Sequence, residues 1–386
     1  MTRFVQIHTL VSYPAALLNR DDAGFAKRLP YGGTSRIRVS SQCLKRHWRK
    51  ADDEWALDRL QAPMAERSRM AVELAVMPEV KGAAPGLAEA IRVSLVRSLY
   101  GKDAAAAGGD SRKEARNRQA LLLGHVEIRY LQALAQQAAE TGSVKDAEAL
   151  LAARFSKGEG KANLKALTEG AALPAGLEGA LFGRMVTSDP EANTEAAVHV
   201  AHAFTVHAEE SESDYFTVVD DLTREAGEAG TAGIFETELT SGLFYGYVVV
   251  DVPGLVGNLG GDRDLAAEVV EHLLHLVATV SPGAKRGSTA PYAYADLMLV
   301  ETGTRQPRSL AGAFRRAVPG EGDVLAGALD AMAGHLTRLD AAYGAKEGRA
   351  ALCCGPLPAG GALPGAGAPR TLDDLAGWAA AAVRAG

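Results

Sequence analysis

A short basic segment near the start of the chain has the residue types that bind phosphate. Ser40 and Gln42 stand just before Lys45, Arg46 and Arg49. Phosphate groups are held by cations or by backbone N–H groups on a rigid surface, with no carboxylates nearby to repel them. The spacing predicts a helix that begins near Ser40, and a helix N-terminus itself attracts anions. We therefore predict a phosphate-binding site here.

Positive and negative charges are segregated along the chain, although its formal net charge is -6. No acidic residue occurs from Ala23 to Ala51, a stretch that contains eight lysines and arginines. By contrast, eight acidic residues and a single arginine lie between Glu209 and Glu228. An ordinary solvated helix would show the same cation spacing as Ser40–Lys50, but it would not need the carboxylates to be absent. The segregation favours a local polyanion site.

Two further basic loops are candidates for the same site. Arg20, Lys27 and Arg28 lie in a turn-rich loop and could clamp the same strand, or could be solvated loop charges. Lys285 and Arg286 are flanked by glycines, which let backbone N–H groups approach a phosphate closely. A Gly/Lys loop alone is weak evidence, and this one lacks the spacing of a nucleotide-binding P-loop.

The elements that must position these residues follow from hydrophobic patterning. The strand signal is strongest in LFYGYVVVDV, which is rich in aromatic and β-branched residues. In chain order the patterns predict strands Phe4–Ser12 and Arg36–Val39, a helix capped by Ser40 or Ser41 with Leu44 and Trp48 as its core stripe, strand Leu243–Val252, helix Asp262–Val280, basic loop Ser281–Ala290, and a strand near Asp296–Val300.

The remaining segments predict a helical insertion, a hairpin and a C-terminal tail. Residues 52–181 are rich in Ala, Leu, Glu and Arg with helical periodicity. Ala203–His207 and Tyr215–Val219 are typical of two exposed hairpin strands, with a mobile tip at Gly227, Gly230 and Gly233. The stretch Gly355–Pro369 predicts a flexible linker, and Leu372–Arg384 predicts a terminal helix.

Composition and spacing argue against several other classes of protein. The chain has 386 residues, enough for two or three structural regions, and three cysteines that match neither a zinc quartet nor a disulfide framework. His199, His202 and His207 lack metal-site spacing, and no G-x-S-x-G elbow occurs. The first residues do not form a signal peptide, and no apolar stretch is long enough to span a membrane. We expect a cytoplasmic protein with no metal, no cofactor and no membrane partner.

Several motifs appear in the order found in one known family. They are N-R-D-D at Asn19–Asp22, G-G at Gly32 and Gly33, R-x-R-V-S-S-Q-x-L-K-R at Arg36–Arg46, L-F-G-R-M at Leu181–Met185, A-H-A-F-T-V-H at Ala201–His207, D-D-L at Asp220–Leu222, N-L-G-G at Asn258–Gly261 and P-G-A-K at Pro282–Lys285. The chain resembles the CasC family of the RAMP superfamily, the crRNA-binding backbone subunit of type I-E CRISPR Cascade complexes. The resemblance covers roughly Met1–Val318, and Arg36–Arg46 is its most specific part.

The resemblance implies an α+β fold with a modified RRM-like, or ferredoxin-like, palm. The implied regions are the palm at 1–50 and 240–320, helical fingers at 51–181, a thumb hairpin at 182–239, and C-terminal helices at 321–386 with the linker at 355–369. It also implies that copies stack head to tail on one crRNA, with target DNA paired to the guide and other Cascade subunits as partners.

The resemblance also suggests roles for residues outside the basic segment. Met185 and Phe216, by their place in family-like segments, are candidates for apolar wedges beside unstacked bases, although each is more often a core residue. A basic patch at the predicted start of a long helix in the fingers could hold target DNA electrostatically, or could be a solvated face that includes Glu114. The patch consists of Arg112, Lys113, Arg116 and Arg118.

Two alternatives to a non-catalytic RNA-binding protein remain open. Related backbone subunits of type III CRISPR systems use an aspartate in a comparable loop to cut RNA with a divalent metal, and Asp21 and Asp22 could recruit Mg²⁺ in that way. These aspartates could instead organise the loop by accepting hydrogen bonds from turn amides. A third reading is a structural assembly protein whose basic loop binds an acidic partner subunit. We expect no enzymatic activity.

Overall fold

The computed structural model describes residues 2–106, 108–155, 173, 175–185, 193–219, 231–358 and 361–386. The chain divides into two compact units. We call residues 1–57, 199–252 and 267–386 the sheet unit, and residues 58–198 and 253–266 the helical unit. The predicted hairpin glycines Gly227 and Gly230 and the D-D-L motif at Asp220–Leu222 lie outside the described residues.

An antiparallel sheet forms the centre of the sheet unit. The strands of the chain are β1 Phe4–Ala16, β2 Arg28–Tyr31, β3 Thr34–Val39, β4 Ala65–Ser68, β5 Leu121–Gly124, β6 Val198–Val200, β7 Ala203–Thr205, β8 Glu210–Val219, β9 Thr231–Asp251, β10 Leu297–Gly303 and β11 Gly348–Cys353. Neighbouring strands follow the order β11-β10-β1-β9-β7-β3-β2, and β8 pairs with β9. β1 lies between β9 and β10, where Leu10 pairs with Tyr245 and Leu297. The predicted opening strand is confirmed.

The longest strand, β9, serves both the sheet and the hairpin. Its C-terminal part pairs with β1 from Asp251 to Thr240, and its N-terminal part pairs with β8 from Ser241 to Thr231. The hairpin is therefore a direct extension of the sheet. The prediction for Ala203–His207 as an exposed hairpin strand is wrong, because this segment is buried and β7 lies between β3 and β9.

The sheet unit contains several helices, and helices make up most of the helical unit. They are α1 Ser41–Arg49, α2 Pro85–Tyr100, α3 Ser111–Ala115, α4 His125–Glu140, α5 Val144–Phe155, α6 Gly176–Phe182, α7 Val252–Asn258, α8 Arg263–Thr279, α9 Arg286–Thr289, α10 Val324–Tyr343 and α11 Leu372–Arg384. The predicted helix near Asp262 is confirmed, since the Asp262 carboxylate accepts a hydrogen bond from the Leu265 amide at 2.9 Å. The terminal helix has the predicted bounds.

The core of the sheet unit joins the strands to α10. Tyr245, Leu299, Phe314 and Met332 are fully or almost fully buried there. Burying each such side chain contributes about 1.5–3 kcal/mol. The predicted flexible linker is partly wrong: its residues Leu363 and Ala366 are buried in the same core, so that part of the segment is packed.

A charged network is also buried in the sheet unit. Glu301 on β10 is fully buried and accepts hydrogen bonds from Arg308 at 2.6 Å and from Arg349 at 2.7 Å. These partners, with His8 at 3.2 Å, hold the pKa of Glu301 well below its ordinary value despite its burial. Burial lowers the pKa of His8. A buried carboxylate requires such partners, and here it links β1, β10 and β11.

The helical unit has its own apolar core, to which Ile91, Leu95, Leu123 and Leu131 contribute. Its sequence predicts helices throughout, but β4 and β5 form a two-stranded antiparallel ribbon that the pattern did not show. The predicted long helix at Arg112 is also wrong, because α3 ends at Ala115. Among the described residues, no helix is long and apolar enough to cross a membrane.

Candidate nucleic-acid interface

Three segments that are distant in sequence meet in an open groove on the sheet unit, with a volume of about 720 Å³. They are the turn after β1, the first two turns of α1 and the loop before α9. The groove is lined by Leu18, Asn19, Arg20, Asp21, Asp22, Ala23, Gly24, Ser40, Gln42, Cys43, Arg46, His47, Gly283 and Ala284. Of the predicted RNA-binding residues, Arg20, Ser40, Gln42 and Arg46 line the groove. The other predicted cations do not line it: Lys27, Arg28, Lys45, Arg49, Lys285 and Arg286.

Helix α1 begins at the floor of the groove. The Ser40 hydroxyl accepts a hydrogen bond from the Cys43 amide at 3.2 Å and caps the helix, as predicted. The Ser40 amide donates to Oδ1 of Asn19 at 2.9 Å, which ties the helix to the turn after β1. Gln42 and Arg46 are exposed at the groove, while Lys45 and Arg49 are half-buried on α1. No acidic residue lies in the first turn.

The turn after β1 is held by its own side chains. The Asp21 carboxylate accepts a hydrogen bond from the Phe25 amide at 2.9 Å, and the Asp21 amide donates to the Phe25 carbonyl at 2.8 Å. The Lys27 amide donates to the Asn19 carbonyl at 3.0 Å. Asp22 and Arg20 are exposed. Asp21 therefore accepts a hydrogen bond from a turn amide, which is the loop-organising role considered for it in the sequence.

The Gly-rich basic loop forms the opposite side of the groove. The Ala284 amide donates to the Leu17 carbonyl at 2.9 Å, which fixes the loop to the end of β1. Arg286 is exposed at the start of α9. Lys285 has a different environment, because its ammonium group donates to the Thr237 hydroxyl and lies 5.8 Å from the centre of the Phe216 ring. Lys285 thus contacts the hairpin.

His47 links the two sides of the groove, and sequence reasoning did not single it out. Its Nδ1 lies 2.8 Å from the Cys43 carbonyl, and the backbone of Gly283 also hydrogen-bonds to the ring. Burial lowers the pKa of His47, and the positive charges of Arg286 and Arg46 lower it further. The one sequence signal for His47 is its position within the basic segment of α1, between Arg46 and Arg49.

Arg28 is already paired with carboxylates of the hairpin region. Its guanidinium forms ion pairs with Glu209 at 2.7 Å and with Glu238, and the contact with Glu238 raises the pKa of Arg28. The Glu238 carboxylate also accepts a hydrogen bond from the Ala26 amide at 2.6 Å. Arg28 therefore connects the turn after β1 to β9. It is not among the residues that line the groove.

The two predicted apolar wedges belong to different units. Phe216 on β8 is 39% exposed and stacks against Phe235 on β9, with 5.6 Å between ring centroids. Met185 is 65% exposed and follows α6 in the helical unit. Both side chains are more exposed than core residues, as a wedge requires.

The predicted DNA-contacting patch is divided by the fold of the helical unit. Arg112, Lys113 and Arg116 are exposed on and just after α3. Arg118 has only 1% of its side chain exposed and forms ion pairs with Glu73 at 2.7 Å and Glu114 at 3.2 Å. The structure thus removes Arg118 from the predicted DNA-binding set, because its guanidinium is buried against carboxylates.

The described ranges bring together no group of three or more His, Cys, Asp or Glu side chains that could hold a metal ion. Carboxylates line the groove only at Asp21 and Asp22, and one of them accepts a turn amide. The groove therefore presents cations, amides and a helix N-terminus, all of which suit phosphate groups.

The antiparallel sheet with its helical unit defines a mixed α/β protein of the type found in CRISPR RNA-guided surveillance complexes. One similar structure, a chain of a "CRISPR RNA-guided surveillance complex, pre-nicking", has a TM-score of 0.78 and 26% identity, with 98% of this chain and 100% of that chain covered. Another, from a "CRISPR RNA-guided surveillance complex", has a TM-score of 0.67 and 24% identity over 97% and 99% of the two chains, and shows the fold alone.

The family follows from the sequence match. Residues 5–378 match the model of the CRISPR-associated CT1975-like protein family, and the chain belongs to that family. The predicted resemblance to CasC-like backbone proteins is thereby confirmed. No curated protein sequence matches the chain.

Proposed function

We propose that this protein is the repeating crRNA-binding subunit of a type I-E CRISPR surveillance complex in the cytoplasm, and that it is not an enzyme. The observation that carries the proposal is the groove, which is lined by the exposed cations Arg20 and Arg46 from two separate segments. A third exposed cation, Arg286, stands two residues after Ala284 in the groove lining. Such a surface suits an RNA backbone and makes no contact that depends on base sequence. The similarity to chains of RNA-guided surveillance complexes supports the same conclusion.

An RRM-like palm is part of this proposal. The elements β1, α1, β7, β9, α8 and β10 follow one another in the order βαββαβ, which is the order of ferredoxin-like folds. The segment 58–198 is inserted between α1 and β7. Copies of the chain would stack head to tail through a heterologous interface, hold the crRNA phosphates and present its bases for pairing with target DNA.

The absence of catalysis is supported by the geometry of the turn after β1. Asp21 accepts the Phe25 amide, so only the exposed Asp22 retains a carboxylate with no assigned role in the turn. The competing proposal, a metal-dependent ribonuclease that uses Asp21 and Asp22, would need at least one of these carboxylates at a metal ion.

RNA binding and cleavage can be measured together. We expect the purified chain to bind single-stranded RNA with a log–log salt slope of roughly −3, as about four phosphate contacts predict. The double variant Arg20→Ala/Arg46→Ala, which removes the two exposed cations that line the groove, should lose most of this binding. The matched control Arg112→Ala/Lys113→Ala removes the same charge from the helical unit and should bind like the wild type.

The same RNA incubated with Mg²⁺ tests the competing proposal. We expect intact RNA with the wild type and with Asp21→Ala/Asp22→Ala. Regularly spaced cuts that disappear in the aspartate variant would establish a ribonuclease instead. Strong preference for one base sequence, or a salt slope near zero, would contradict phosphate binding. Binding of an acidic partner subunit without RNA binding would favour a purely structural assembly protein.

A further inference from the structure

Two tyrosines next to the groove have no role in the phosphate site. Tyr292 is 71% exposed and Tyr294 is 74% exposed, both on the segment that joins α9 to β10. Single exposed apolar side chains are common on protein surfaces, but these two rings lie two residues apart on one short segment. Tyrosine in particular combines a flat apolar ring with a polar hydroxyl, which suits a contact that is apolar on one side and wet on the other.

The backbone beneath the two rings is held firmly. The Ala293 amide donates to the Ser281 hydroxyl at 2.9 Å, and that hydroxyl donates to the Ala293 carbonyl at 3.0 Å. The Ala295 amide donates to the Ala278 carbonyl at 2.8 Å. Ala293 and Ala295 are thus held by hydrogen bonds to the end of α8 and the residue that follows it closely, Ser281. The alternate residues, Tyr292 and Tyr294, are exposed. Because the backbone is already ordered, a ligand would not have to order it.

The segment enters this conformation directly from the edge of the groove. Ala290 ends α9 with a φ of 39°, a left-handed conformation that a residue with a side chain adopts at a cost of about 1–3 kcal/mol. Pro291 then packs against Gly283, which lines the groove: a Cβ added to Gly283 would lie 2.7 Å from the Pro291 ring. Tyr292 is therefore one residue beyond Pro291, which contacts Gly283 in the wall of the groove.

The surroundings of the rings favour a nucleobase over a protein partner. The exposed residues of the preceding helix are Arg286, Gly287 and Ser288, so that helix exposes a cation and polar or small residues rather than an apolar face. A protein partner usually packs on a dry apolar centre. Unstacked bases need only a flat ring near a cationic track for the phosphates.

We propose that Tyr292 and Tyr294 form a stacking surface for nucleobases of the single strand whose phosphates lie in the groove. This inference rests on the proposed function, since it assumes that RNA occupies the groove. It adds a contact with bases that tolerates any sequence, because every base has a flat face.

The test compares two oligomers of equal length, an oligoadenylate short enough for one copy of the chain and its abasic counterpart, which keeps the phosphates. We expect the wild type to bind the oligoadenylate at least about fivefold more tightly. Tyr292→Ala/Tyr294→Ala should lose this preference and keep both the abasic affinity and the salt slope. Tyr292→Phe/Tyr294→Phe should retain the preference, because the rings remain.

Tyr343→Ala provides a matched control, because it removes a tyrosine that is 70% exposed at the end of α10. It should leave the base preference unchanged. Wild-type protein that binds neither oligomer would overturn the proposed function itself. Wild-type protein that binds RNA while the alanine double variant keeps the full base preference would overturn only the stacking surface. If the alanine double variant lost affinity only for longer RNA that holds several copies, and equally for the longer abasic strand, the tyrosines would belong to contacts between copies and the inference would be overturned.

Discussion

Two basic segments, one in each unit, look alike in sequence and have different structures. On α1, Arg46 is exposed at an open groove, with no acidic residue in the first turn of the helix. In the helical unit, Arg118 is turned inward, and Arg92 shares the same carboxylates of Glu73 and Glu114. One segment builds a cationic surface, and the other contributes to the interior.

The difference lies in the acidic residues nearby in sequence. Glu114 stands four positions before Arg118, and the two side chains form an ion pair although α3 ends at Ala115. The run from Ala23 to Ala51 contains no aspartate or glutamate, so no cation in it has an acidic partner four positions away within the run. Arg28, in the same acid-free run, nevertheless pairs with Glu209 and Glu238. The absence of acids nearby in sequence therefore indicates an exposed cation only where the fold brings no distant carboxylate to it.

The largest effect that tests this contrast is on stability. Arg118→Ala would leave Glu73 and Glu114 partly buried with one guanidinium fewer, so we expect the free energy of unfolding to fall by about 3–5 kcal/mol. Urea unfolding measures it without screening the charges. Arg116→Ala, at an exposed position, should change stability by less than about 0.5 kcal/mol. Equal effects of the two variants would contradict the assignment of Arg118 to the interior.

The next effect is on RNA affinity. Arg46→Ala removes an exposed groove cation, and we expect RNA to bind about tenfold more weakly, with a salt slope about 0.7 less steep and unchanged stability. Fluorescence anisotropy over a salt series provides both numbers. Arg112→Ala is the matched control. If Arg112→Ala weakened RNA binding as much as Arg46→Ala, the groove would not be the specific binding site for the RNA.

A smaller effect is expected from pH. Burial and the charges of Arg286 and Arg46 lower the pKa of His47 in the free chain. A bound phosphate would offset those charges and raise this pKa, so RNA binding would be coupled to proton uptake. Affinity should therefore increase, by about threefold, as pH falls below roughly 6.5. His47→Gln should remove most of this increase, and an increase that survives the substitution would assign the proton to another group.

The smallest effect concerns Arg28. Glu238→Gln removes one of its two carboxylate partners but keeps an oxygen that can accept the Ala26 amide. We expect RNA affinity to rise by about twofold, because negative charge near the turn is reduced. A decrease in affinity would mean that the ion pair holds the turn in its binding conformation.

Local signals were sufficient for much of the groove. The Ser40 cap, the helix after it and the strand β1 follow from residues close in sequence. The meeting of α1 with the loop before α9 did not follow from them, since it depends on the hydrogen bond between the His47 ring and the Gly283 backbone, two residues far apart in sequence. The family resemblance supplied the expectation that these segments work together.

The features that were missed depend on distant partners. β4 and β5 are short and pair across more than fifty residues, and β7 is buried only because β3 and β9 flank it. The role of Glu301 is likewise invisible in its own segment, because three basic side chains from separate elements surround it. Periodicity describes one element at a time and cannot show such pairings.

The position of β1 between β9 and β10 has a consequence for synthesis of the protein. Leu10 emerges from the ribosome long before Tyr245 and Leu297, the residues with which it pairs. At common translation rates, the apolar N-terminal strand waits roughly 15 to 55 s for its partners. Residues 58–198, the larger part of the helical unit, are made in the meantime. We expect β1 to be the segment that depends longest on chaperones in the cell.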